Sequence, residues 1–194
     1  MREIETDKYG PVSKALVAKA LAERRPQTLN FSAPVPDSLA DLKAMTDQTV
    51  STNRRVRMPH DAEALRAGLW LLFDYMEESH ALSQNIATPS GSYWHGILHR
   101  REGDASNAKY WFVRAGEHPI FPELLSDALE ISTVAGAAGA GLLKDLKAMN
   151  AWDAAWFVER CTGSNAPPTI QILLEIQRRE WLLLFDSNFR KAFA

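Results

Sequence analysis

The chain has 194 residues, of which 46% are hydrophobic, 9% are aromatic and 24% are charged. This length fits one domain with a sizeable core, and the composition excludes a disordered chain. The formal net charge of −2 excludes the strongly basic character that binding to nucleic acid would require. The single cysteine, Cys161, excludes an internal disulfide and favours a reducing, cytoplasmic location.

The first eight residues are charged and lack the apolar run of a secretory signal. The longest weakly polar stretch, 131–143, is far shorter than the roughly 20 apolar residues that cross a bilayer. We therefore expect a soluble protein that has no membrane association.

Hydrophobic residues recur at helical spacing along nearly the whole chain, and no segment alternates as a half-buried strand would. The sequence therefore predicts a compact all-α fold of eight to nine helices, in one domain that spans residues 1–194. Helices are expected at 13–24, 38–50, 61–84, 93–101, 104–115, 119–131, 142–149, 152–161 and 169–189. A polar connector is expected at 52–59. The glycine- and alanine-rich segment 135–141 predicts either a flexible link or a point where helices approach closely.

The central segment, 75–118, contains four of the five histidines. Glu77 and His80 are three residues apart, and His95 and His99 are four apart, so each pair lies on one helical face. A short loop between the two helices would set these faces opposite each other. The segment is therefore the first candidate for a functional site.

A transition metal needs imidazole or carboxylate ligands that converge about 2.0 to 2.2 Å from one point. His80, His95 and His99 could supply three of them, with a divalent transition metal as the cofactor. An enzyme built in this way would catalyse metal-assisted hydrolysis, with Glu77 or Glu102 as a ligand or general base.

Two other interpretations stay open at this stage. The same side chains can form a satisfied polar network in a non-catalytic interaction module, because buried histidines are commonly bonded to carboxylates. The segment can also bind a small molecule or anion without a metal, since helices begin here with free backbone N–H groups. The candidate ligand-binding residues are Arg100, Asn107, Trp111 and Arg114. Whether the chain is an enzyme is not decided by its sequence, and a homo-oligomer is compatible with its size.

The chain has no Gly-x-Ser-x-Gly motif, no P-loop and no dinucleotide-binding fingerprint. The common hydrolase, NTPase and dehydrogenase interpretations therefore have no support.

The run SGSYWHGILHRREGDASNAKYWF at 90–112, preceded by Glu78-Ser-His80 and Ser83-Gln84, resembles a family of helical proteins that has no established activity. The resemblance covers about residues 70–120. It implies that one motif contains His80, His95, His99, Arg100, Glu102, Asp104, Asn107 and Trp111.

A second, local likeness is to one unit of the Sel1 and tetratricopeptide repeats, at 107–115, where a Gly-Asp turn leads into a helix. Solenoids need at least three stacked repeats, and this pattern occurs once in the chain. The likeness therefore implies a helix hairpin and not a solenoid.

Overall fold

A computed structural model of the chain describes residues 5–51 and 54–193. Within these ranges the fold is all-α, as predicted, with ten helices in place of the expected eight to nine. An isolated bridge joins Tyr9 to Ser51. The helices are α1 Pro11–Ala22, α2 Leu39–Ala44, α3 Pro59–Leu72, α4 Met76–Ser83, α5 Pro89–Glu102, α6 Ala105–Ala115, α7 Phe121–Val134, α8 Ala140–Lys147, α9 Ala154–Thr162 and α10 Pro167–Phe193.

The tenth helix arises because the expected helix 61–84 is two helices, α3 and α4. Asp74, between them, has a left-handed backbone with φ +65°, which a continuous helix does not allow. Arg101 holds this turn, because it donates one hydrogen bond to the Leu71 carbonyl at the end of α3 and another to the Asp74 carboxylate. The break is thus set by a residue that lies 27 positions farther along the chain than Asp74.

Two other predicted segments also differ from the structure. The expected helix 38–50 is the shorter α2, which ends at Ala44. Of the predicted connector 52–59, residues 54–58 precede α3, Pro59 is the first residue of α3, and 52–53 lie outside the described residues.

In the glycine- and alanine-rich segment, residues 136–139 form a 3₁₀ turn. A side chain at Gly139 would overlap the backbone carbonyl of Ser132, whereas Gly136 and Gly141 face open space.

The helices around the central segment begin and end at residues suited to those positions. The Thr88 hydroxyl accepts a hydrogen bond from the Gly91 amide at 3.1 Å and caps α5. Gly103, with φ +90°, ends α5, and the Asp104 carboxylate then caps α6 by accepting from the Asn107 amide. These caps fix the tight hairpin of α5 and α6.

The longest helix, α10, packs against α3 and α7, and α5 lies against α3, α4 and α6. Every residue of α5 from 90 to 101 is buried. Arg100 of this helix pairs with Glu180 of α10, and both side chains are completely buried. No helix in the described ranges is long and apolar enough to cross a membrane.

Candidate metal centre

Three histidines meet where α4 packs on α5. His80 is half-buried on α4, and His95 and His99 are buried on adjacent turns of α5. One ring nitrogen of each histidine lies within 4.8 Å of the others. The ring centroid of His80 is 4.6 Å from that of His95 and 5.6 Å from that of His99. The structure thus brings together the three residues that the sequence pattern nominated as ligands.

The 4.8 Å limit on the separation of these nitrogens is wider than a coordination sphere requires. Zinc–nitrogen bonds of about 2.0 to 2.1 Å place tetrahedral ligand atoms roughly 3.3 Å apart. Among the three rings, that of His80 is the partly exposed one, so it has the most freedom to turn toward a bound ion.

His95 is held by a serine that the sequence analysis did not nominate. The Ser83 hydroxyl lies 2.7 Å from Nδ1 of His95, so this nitrogen is occupied and Nε2 is the one available for a ligand. Burial, and then the neighbouring His99 and His80, lower the pKa of His95 to about 3. The ring is therefore neutral near pH 7, the form that metals bind.

His99 is oriented by a carboxylate. Its Nδ1 lies 2.8 Å from Oε2 of Glu102, which is 43% exposed and lies one turn farther along α5. When Nδ1 carries the proton and donates to this carboxylate, the Nε2 lone pair is free for a metal. This is the outer-shell arrangement that is usual for histidine ligands in metalloproteins.

Asn107 of α6 also contacts the His99 ring. Its amide nitrogen is 3.3 Å from Nδ1 and 3.1 Å from Nε2. An atom on the lone-pair axis of one nitrogen would be much farther from the other, so the amide lies to the side of both axes. We therefore interpret this contact as one that positions the ring and leaves Nε2 accessible.

Aromatic and basic side chains of α6 extend the site toward the surface. The Trp111 ring packs on His95 with centroids 4.2 Å apart. Arg114, which is exposed, lies over the Trp111 ring at 5.3 Å. Of the four candidate ligand-binding residues, Asn107, Trp111 and Arg114 thus lie beside the histidines or lead outward from them.

Two nominated residues lie elsewhere. Arg100 points to the opposite side of α5, where it donates to Glu180 and Gln177 of α10 and lies 4.5 Å from the centre of the Phe157 ring. Glu77 is exposed on α4, and the group that can share one ion consists of the three histidines. The carboxylate that contacts this group is Glu102.

His118, the fourth histidine of the segment, is separate from the cluster. It is buried next to Tyr93, and its Nε2 lies 3.2 Å from the Ser90 hydroxyl. The Ile120 amide donates to Nδ1 at 3.5 Å, so the ring proton is on Nε2 and is donated to Ser90. Its surroundings are those of a structural histidine.

No family model matches the chain, and neither the curated proteins nor the solved structures contain a match to it. The chemistry of the site is therefore argued from its geometry.

Proposed function

We propose that His80, His95 and His99 bind one divalent transition metal, zinc in the first place, and that the bound ion activates water for hydrolysis. The observation that supports this proposal best is that one ring nitrogen of each of the three histidines lies within 4.8 Å of the others, while Nδ1 of His95 pairs with Ser83 and Nδ1 of His99 pairs with Glu102.

The donor set also limits the choice of metal. Neutral imidazoles suit zinc, cobalt, nickel and copper, whereas magnesium and calcium prefer oxygen ligands. Three protein ligands leave the fourth tetrahedral position for water, as in hydrolytic zinc sites. A zinc ion in such a site lowers the pKa of its water to about 7 and so supplies a nucleophile near neutral pH.

An exposed arginine near the three histidines favours an anionic substrate. Arg114 lies above Trp111 at the surface end of the site, where a guanidinium can bind a carboxylate or phosphate. Glu102 is bonded to His99, so its role in this proposal is to position a ligand rather than to act as the general base. The substrate class is then an ester or amide next to an anionic group, or a phosphate ester.

Metal binding is tested on protein purified without an affinity tag, stripped with a chelator and titrated with Zn²⁺ in competition with a chromophoric indicator. We expect one zinc per chain, and loss of this site in the His95→Ala and His99→Ala variants. The matched control is His60→Ala, because His60 is 61% exposed on α3 and outside the cluster. Folding of each variant is checked by circular dichroism.

Two results would overturn the metal site. The first is a folded wild-type protein that does not take up zinc, cobalt or nickel. The second is uptake that is equal in wild type and in the folded His95→Ala, His99→Ala double variant. Either one would leave the histidines as a satisfied polar network in a non-catalytic protein.

Hydrolysis is tested separately on the zinc-loaded protein with esters, amides and phosphate esters. We expect turnover that disappears when zinc is removed and returns when it is added back. Zinc binding without turnover of any of these would retain the metal site and reject the enzyme. Cobalt substitution adds a spectroscopic test, because tetrahedral cobalt with an open position changes its absorption when an anion binds.

The buried free thiol of Cys161 is consistent with a reducing environment, and we place the protein in the cytoplasm. Its partners in this proposal are small anionic molecules and not nucleic acids. Self-association is not needed for the site, because all three ligands come from one chain.

A further inference from the structure

A second concave surface lies on another part of the molecule, between α1 and α7 and above α10. It has a volume of about 640 Å³, within the usual range of small-molecule sites. Its apolar lining includes Val17, Leu21, Ile131, Val134, Ile172 and Leu182. We call this surface the α1–α7 groove.

The α1–α7 groove combines a buried base with exposed apolar walls. Leu72 and Trp181, at its base, are almost completely buried. Leu21 is 49% exposed on α1, and Val134 is 83% exposed on α7. From Ile172 to Leu182 the groove follows α10 for about 15 Å, at 1.5 Å per residue. This length fits a single extended hydrocarbon chain.

Positive charge is concentrated at one side of the groove. Arg24, just past the end of α1, and Arg178 of α10 both donate to the same carboxylate oxygen of Glu175. Burial and then the nearby charge of Arg24 lower the pKa of Arg178, as expected for two guanidiniums that share one counter-ion. Each guanidinium has five N–H donors, so the two arginines can donate to a second carboxylate as well.

The other two arginines of the lining have partners of their own. Arg25 pairs with Asp74 and Glu23, and Arg179 pairs with Asp127. The remaining acid in the lining is Glu130 on α7, across the groove from α1. An anionic head group is therefore favoured beside Arg24 and Arg178.

We propose that the α1–α7 groove binds a fatty carboxylate, with its hydrocarbon chain against Leu21, Val134 and Trp181 and its carboxylate between Arg24 and Arg178. Charge complementarity favours this occupant over a neutral or cationic amphiphile. The length of about 15 Å and the one cationic position, at Arg24 and Arg178, favour one chain with one head group over the face of a partner protein. This site is independent of the metal centre, which is formed by α4 and α5.

The test is calorimetric titration with dodecanoate below its micelle concentration, compared with dodecan-1-ol and dodecyltrimethylammonium. We expect saturable binding of one dodecanoate, and at least tenfold weaker binding of the neutral and cationic probes. Backbone NMR shifts should change in α1, α7 and α10. Equal affinity for the three probes would overturn the head-group assignment, and failure of dodecanoate to bind would overturn the site.

Matched variants separate the groove from the rest of the surface. Val134→Asp should weaken dodecanoate binding at least tenfold, whereas Val113→Asp, at a position 81% exposed on α6, should not. Arg24→Gln should also weaken dodecanoate binding. Its control is Arg160→Gln, which also removes an exposed arginine that pairs with a carboxylate. If Val134→Asp and Val113→Asp bind dodecanoate alike, the ligand is not in this groove and the proposal is wrong.

Discussion

Glu102 lies one turn beyond His99 on α5, with its Oε2 atom 2.8 Å from Nδ1 of the imidazole. The same spacing recurs on α3, where His60 and Glu63 approach to 3.8 Å. The first pair faces two other histidines, and the second faces solvent, with the His60 side chain 61% exposed. The molecule thus contains its own comparison between a carboxylate that orients a candidate ligand and one that does not.

Glu102→Gln should weaken zinc binding by about 10- to 100-fold, because loss of an outer-shell carboxylate lowers the basicity of the imidazole and loosens its orientation. Indicator competition with the stripped protein measures the change. Glu63→Gln is the matched control and should leave the affinity unchanged. Equal affinities for the two variants would show that Glu102 does not support a metal ligand.

Ser83→Ala should also weaken zinc binding, because the Ser83 hydroxyl is the hydrogen-bond partner of Nδ1 of His95. The control is Ser79→Ala, one turn earlier on α4. Ser79 is buried too, but its hydroxyl donates to the Ala67 carbonyl at 2.9 Å. This variant should lower the melting temperature and spare the zinc affinity of the folded protein. The same loss of affinity in both variants would mean that α4 acts through its stability alone.

The protein should lose stability as the pH falls from about 6.5 toward 4, in part because of His118. Burial, and then the charge of Lys191, lower the pKa of His118 to about 4 in the folded state, against about 6.5 in an unfolded chain. At a pH between these two pKa values, the unfolded state binds more protons than the folded state, so acid favours unfolding. The stability that depends on a neutral His118 is fully present only above the unfolded pKa and is lost as the pH falls through the folded pKa.

Urea unfolding of the metal-free protein at pH 7.5 and pH 5 measures this effect. His118→Gln should reduce the difference in unfolding free energy between the two pH values. His60→Gln removes an exposed histidine and should leave the difference as it is in wild type. A His118→Gln protein with the wild-type pH dependence would contradict the prediction.

Arg100→Met should destabilise the fold by roughly 3 to 5 kcal/mol, because it leaves the carboxylate of Glu180 buried without its partner. The double variant Arg100→Met, Glu180→Leu should recover most of this loss, since it removes both charges. Urea unfolding gives the three free energies. A single variant as stable as wild type would show that the Glu180 carboxylate does not depend on Arg100.

The pairing of His95 with His99 could be predicted because it depends only on helical geometry. Side chains four residues apart lie on one face, and Glu102 continues that face. The contact between α4 and α5 was expected from the short connection between them. Ser83 could have been found in the same way, because it lies three residues after His80 and therefore faces α5 with it.

The role of Arg100 could not be read from the neighbouring sequence. Its partner, Glu180, is 80 residues away, and a helical pattern does not specify which of several basic residues turns inward to meet it. The break between α3 and α4 has the same origin. The hydrophobic spacing continues through Asp74, and the turn there is stabilised by Arg101, which reaches back from α5.

The site joins two helices that are buried to different extents. Every residue of α5 from 90 to 101 is buried, whereas the buried residues of α4 are Ser79 and Ser83. Backbone amides of α5 should therefore exchange with deuterium only when the whole protein unfolds, and those of α4 should exchange through local opening. A metal held by His80 and the two histidines of α5 would fasten α4 to the core. Added zinc should therefore slow the deuterium exchange of the α4 amides more than that of any other helix.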